Sequence, residues 1–242
     1  FKAALILIAL LILSWPFIEP FMLETEYATL TSADLPAGIG QLRIVYAADI
    51  HKGGLFTDGR VADLVSHINA CNADIVLLGG DYAQDSDSAV EFFRQLPAIH
   101  ARYGVYAVLG NHDRTIPEAN MTTLRAAMQA AGVNLLVNET VRVPIGSSAV
   151  YIAGIDDYGN GRPNIRAVAS QVDTNDYVIF LSHSPAVFSQ RIIPKIMPNR
   201  YTVRISPRQM AKLWYSQTHT AVRENSTSQS IRCRRPGGRR NP

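Results

Sequence analysis

The sequence predicts an α/β fold, a layered β-sandwich flanked by helices, and three observations carry that prediction. Apolar strand-like runs alternate with helical patterns between residues 41 and 131, the arrangement of parallel β/α units. The runs in this part are continuously apolar, as strands buried on both faces must be. Beyond residue 131, short apolar runs follow one another too closely for helices to separate them, which predicts a second, antiparallel sheet.

The elements follow in order. Residues 41–49 form an apolar run ending in the carboxylate of Asp49, the pattern of a buried strand that delivers a charge at its carboxyl edge. Residues 61–70 carry apolar side chains at helical spacing, and 74–81 repeat the strand pattern, ending at Asp81. A second helix is expected over 90–99, a third strand over 104–110 and a third helix over 124–131. The runs 133–137, 141–144 and 149–154 make up the expected antiparallel sheet, and 177–181 is a further strand ending at Ser182 and His183.

Length and composition bound the rest. A chain of 242 residues with 47% hydrophobic content can bury a full core in one large domain, and two cysteines, Cys71 and Cys233, cannot build a disulfide framework. Cys71, at the end of a helical pattern, reads as a buried free thiol. The net charge of +3 is uneven: residues 200–242 hold ten Lys/Arg and one acid, Glu224, against thirteen Lys/Arg and nineteen acids before them. Residues 3–18 are apolar apart from Ser14 and Pro16, and Trp15 and Phe17 at the end suit a membrane interface. With no small-x-small cleavage site before Glu24, residues 1–20 read as a single-pass anchor in preference to a removed signal or a buried helix. Lys2, the only flanking cation, places the folded domain on the extracytoplasmic side.

Four strand ends carry cation-binding side chains: Asp49-Ile50-His51, Gly79-Gly80-Asp81, Gly110-Asn111-His112-Asp113 and Ser182-His183-Ser184-Pro185. Ligands in open α/β sheets bind outside the carboxyl ends of the strands, so the four sets are expected to converge. Alone, each has an ordinary explanation: a cap, a turn residue or a core histidine. Together, in this order, they are specific. Mixed carboxylate, imidazole and amide donors suit Mn, Fe or Zn better than Mg or Ca. On a strand, Asp49 and His51 share a face and can chelate one ion. His67 and His100 fall in helical patterns away from any strand end and read as surface or structural residues.

These blocks resemble the calcineurin-like metallophosphoesterase superfamily. More narrowly, the strings starting at Gly104, Val133 and Ile179 are similar to a bacterial membrane-anchored branch related to UDP-diacylglucosamine pyrophosphatases, with the domain covering about residues 41–190. The resemblance implies hydrolysis of a phosphodiester or pyrophosphate bond by a hydroxide bridging two divalent metal ions, on a phosphoester substrate that the branch makes lipid-linked. It implies that Asp49 and His51 bind one metal, Asp81 bridges, and Asn111 and His183 bind the other. His112, backed by Asp113, would protonate the leaving-group oxygen, since a neighbouring carboxylate favours imidazolium.

One block departs from the family pattern. The closing Gly-His-x-His string is absent after His183, and the nearest match is His219, with no glycines around it. Regrouping the codons permitted for Trp214 to Arg223 from the third base of Trp214 allows a string ending Asp-Thr-His-Gly-Gly-Gln. We therefore expect residues 191–242 to be an atypical basic tail, read out of frame from a point between about Phe188 and Trp214, and no nucleic-acid partner. The competing expectations are a genuine basic tail and a catalytically impaired chain.

Overall fold

The computed structural model describes residues 13–14, 23, 25–29, 32, 34–54, 56–115, 118–173, 175–189 and 202–205. Most of the apolar segment 1–20, and His219 and Cys233 in the basic tail, lie outside the described residues. No helix among the described residues is long and apolar enough to cross a membrane.

Strands β1 (Ile44–Ala47), β2 (Ile75–Leu78), β3 (Val105–Ala107) and β4 (Val133–Leu135) pair in parallel, in that order, to form the first sheet. Helices α1 (Asp58–Ala70), α2 (Ser86–Gln95) and α3 (Glu118–Ala130) make the crossovers between them. The second sheet holds β5 (Glu139–Ile145), β6 (Ser148–Gly154), β7 (Val178–Leu181) and β8 (Thr202–Ile205). Short helices α4 (Ile165–Ala169) and α5 (Ala186–Ser189) flank β7 in the chain.

Three apolar cores stack the layers. One, including Val61, Val76, Phe92, Phe93 and Met128, lies between the first sheet and α1 to α3. A second, including Leu77, Val108, Ile152 and Ile179, lies between the sheets, and a third packs α4 under the second sheet through Ile165, Val168 and Phe180. The layering is helix, sheet, sheet, helix, as the sequence predicts. All four residues of β2 and of β7 are buried, which is why both read as unbroken apolar runs.

Five details differ from the sequence reading. The run at 133 does not join the second sheet: α3 separates it from β3, and a helical crossover returns the chain parallel to its own sheet. The second sheet is mixed, because only β5 and β6 form an antiparallel hairpin, across Gly146 and Ser147, while β6, β7 and β8 run parallel. Helix α2 begins at Ser86, not near 90, because the Asp85 side chain accepts the Ser88 amide at 2.8 Å and caps it; it ends before Leu96, whose extended backbone precedes Pro97. Residues 202–205, in the stretch assigned to the basic tail, contribute β8. Cys71 is a free thiol at the C-cap of α1, half-buried instead of buried.

Candidate active site

The first three sequence blocks meet because β1, β2 and β3 are adjacent and parallel, so their carboxyl ends open on one side. Pairing continues past the strands: the Asp49 amide donates to the Gly80 carbonyl at 3.0 Å and the His51 amide to the Asp81 carbonyl at 3.0 Å. This register is held with left-handed backbone at Asp49 (φ 54°), His51 (φ 47°) and Asp81 (φ 57°). Such angles cost non-glycine residues about 1–3 kcal/mol each and persist where surrounding bonds over-determine them, typically at functional sites.

The side chains converge on the buried carboxylate of Asp81. Its Oδ2 lies 3.5 Å from His51 Nε2 and 3.5 Å from His183 Nε2, and its Oδ1 accepts the His112 amide at 2.9 Å. The Asp49 carboxylate is 4.0 Å from His51 Nε2, and Asn111 Oδ1 is 3.3 Å from His183 Nε2. Two donor triads result, His51 with Asp81 and His112, and Asp49 with Asp81 and His183, each with its ligand atoms within 4.8 Å of one another. Asp81 belongs to both. The grouping differs from the resemblance in one respect, since Asp49 joins His183 in a triad and His51 joins His112.

Imidazole orientation shows what fits there. His183 Nδ1 lies 2.9 Å from the Gly79 carbonyl, and His112 Nδ1 lies 2.8 Å from the Gln84 carbonyl. A carbonyl only accepts, so in each ring Nδ1 carries a proton, and Nε2 is the nitrogen left to bind a cation, as the second-shell carbonyl of a metal-ligating histidine arranges. His183 Nε2 faces oxygen atoms of both Asp81 and Asn111, so the three side chains present N and O donors to one point where a cation could bind. Burial, more than any other cause, raises the Asp49 carboxyl above its ordinary range, with His183 opposing and the Asp81 charge reinforcing the shift. A bound cation would reverse that balance. The residues present therefore fit divalent cations.

The sequence pairing of His112 with Asp113 is corrected by the geometry. Adjacent residues in the turn after β3 send their side chains apart, and the Asp113 carboxylate is fully buried beneath the loop. Its Oδ2 accepts the amides of Asp81 (2.7 Å) and Gly110 (2.8 Å), and its Oδ1 accepts that of Tyr82 (3.1 Å). Burial pushes its carboxyl up to about 7, against the pull of those three N–H groups. The partner of the His112 ring is the Gln84 carbonyl. His67 and His100 sit on the surface away from the centre, as read from the sequence.

Close packing explains the glycine before Asn111. A Cβ on Gly110 would collide with the Asp81 carboxylate and with the Asp81 amide. Gly110→Ala should therefore displace the shared ligand without unfolding the protein. Activity is expected to fall about 100-fold, the typical cost of an ångström-scale misplacement, with helix content by circular dichroism unchanged; wild-type turnover in the variant would show that the contact has slack.

Sequence reasoning did not reach the loop after β6. Asp156 and Asp157 are both buried, and Arg114 Nη2 forms a 2.7 Å ion pair with Asp156 Oδ2. The signal available was the acidic pair directly after an apolar strand, the same kind of ending as at Asp49 and Asp81.

The family described as calcineurin-like phosphoesterase matches residues 42–212, and the chain belongs to it. The family consists of metal-dependent hydrolases of phosphoester bonds. An uncharacterized metallophosphoesterase of Aquifex aeolicus is 28% identical over 192 residues, 76% of this chain and 71% of that protein. The uncharacterized metallophosphoesterase YkoQ of Bacillus subtilis is 29% identical over 61% of this chain and 54% of its own length. A transmembrane protein with metallophosphoesterase domain from Danio rerio is 27% identical over 65% of this chain and 38% of its own. The chain thus spans about half the length of the Bacillus relative and less of the fish one.

Proposed function

We propose that the chain hydrolyses a phosphodiester or pyrophosphate bond at this centre, with two divalent ions of Mn, Fe or Zn type sharing Asp81. The observation that carries the reading is the pair of donor triads meeting at one buried carboxylate. When bound, two such ions supply a water acidic enough to attack at neutral pH and neutralise the phosphate oxygens. Asp49 and His51, fixed by backbone pairing to Gly80 and Asp81, and Asn111 and His183, whose side chains lie 3.3 Å apart, would hold them. His112 would act in its doubly protonated form, with Nδ1–H on the Gln84 carbonyl and the Nε2 proton passing to the leaving-group oxygen, and in that role would not be a ligand of either ion. Asp113 acts on the site through the backbone alone.

A lipid-linked substrate and a single-pass anchor over residues 1–20, with the domain outside the cytoplasm, extend the proposal. They are supported by the apolar run and by the transmembrane designation of the fish relative. The competing reading is a catalytically impaired chain, favoured by the missing Gly-His-x-His block. Titration with Mn and an assay on bis(4-nitrophenyl) phosphate decide between them. The active reading expects two ions per chain and turnover that EDTA abolishes and Mn restores; folded protein with neither would establish the impaired one. Sequencing the codons for residues 185–242 tests the out-of-frame reading of the tail separately.

A further inference from the structure

The loop joining β6 to α4 is built around buried charge, and one of its side chains reaches the metal-ligand turn. Asp157 Oδ2 accepts the amides of Gly159 (2.9 Å) and Asn160 (2.7 Å), which folds residues 157–160 into a tight turn. Asp156 Oδ1 accepts the Asp157 amide at 2.9 Å, and its Oδ2 accepts the Arg162 amide at 2.8 Å and Arg114 Nη2 at 2.7 Å. Asn138 holds the loop from below, its Oδ1 accepting the amides of Asp156 and Asn164. Thus fixed, the Asn160 side chain donates from Nδ2 to the main-chain carbonyl of Asn111 at 2.8 Å.

The other side of the same turn is held differently. Thr115 Oγ1 donates to the His112 carbonyl, and the His112 ring is tied to Gln84. Asn111 itself is exposed, and its amide is a neutral and therefore weak ligand whose usefulness depends on where its backbone is held. The loop engages that turn twice, through Asn160 at the Asn111 carbonyl and through Asp156 at the Arg114 guanidinium.

We propose that Asn160, braced by Asp157 and by the Asp156–Arg114 ion pair, is a positioning residue that sets the Asn111 amide for the cation held with His183. The inference rests on the two-cation reading above. Groups that orient a ligand from behind typically change metal affinity 10–100-fold when removed. Its reach is selective, since none of its hydrogen bonds touches His51 or His112.

The test is Mn titration of the full chain, followed by calorimetry and by the spin coupling of paired Mn ions. Asn160→Ala and Asn160→Asp, which both remove the Nδ2 donor, should weaken one of the two sites about 10-fold or more and leave the other at its wild-type affinity. Tyr158→Ala, an exposed side chain in the same turn, should leave both sites unchanged. A loss shared equally by both sites, or wild-type affinities in both Asn160 variants, overturns the positioning role while leaving the two-cation reading intact. Wild-type protein that binds no pair of ions overturns both.

Discussion

Asp81→Asn should reduce kcat/KM at least about 1,000-fold, a loss near 4 kcal/mol of transition-state stabilisation, while the protein stays folded. The substitution keeps the shape of the side chain and an oxygen able to accept the His112 amide that Oδ1 now accepts at 2.9 Å. It removes the negative charge and points an NH2 group at the two Nε2 atoms that lie 3.5 Å from Oδ2. Those imidazoles then have a hydrogen-bond donor where a cation should sit. Because Asp81 belongs to both triads, the loss should reach both ions, whereas a ligand of one triad should spare the other. Mn stoichiometry and turnover of bis(4-nitrophenyl) phosphate, measured beside a thermal melt, check this. Retention of two ions with activity within tenfold of wild type would remove Asp81 from the shared position.

Much of this site was legible because buried parallel strands are simple objects. A continuous apolar run such as Ile75–Leu78 can hardly be anything else, and a polar residue directly beyond it must emerge at the sheet's carboxyl edge. What sequence could not supply was direction over short range. His112 and Asp113 are neighbours in the chain, yet one ring turns to Gln84 and the other side chain turns inward to three amides. Backbone angles decide that, and the left-handed conformations at Asp49, His51 and Asp81 have no glycine to announce them. Sheet membership of β4 was missed for a related reason: a three-residue strand carries too little pattern, and its partner is dictated by the helix before it. The loop from Asp156 to Arg162 reads as an ordinary polar turn until Arg114 and Asn111 are seen against it.

The inward turn of Asp113 leads to the second large expectation, which concerns stability and not chemistry. Asp113→Ala should cost about 3–5 kcal/mol, because it strands buried N–H groups of Asp81, Tyr82 and Gly110, each worth about 1–3 kcal/mol when left without an acceptor and partly relieved if water enters. Against a typical total of about 5–15 kcal/mol, that is enough to unfold a large share of the molecules near physiological temperature. Asp113→Asn should fall between the variant and wild type: one oxygen still accepts, while the new NH2 group opposes an N–H donor. Urea denaturation in EDTA makes the measurement independent of bound cations. The outcome separates two roles for the same carboxylate. A proton partner of His112 would be replaceable by Asn with full stability and an altered pH–rate profile, and that result would return Asp113 to the chemistry. A brace for the loops after β2 and β3 loses stability first, and metal affinity and turnover fall only because Asp81 and Asn111 are no longer held in register.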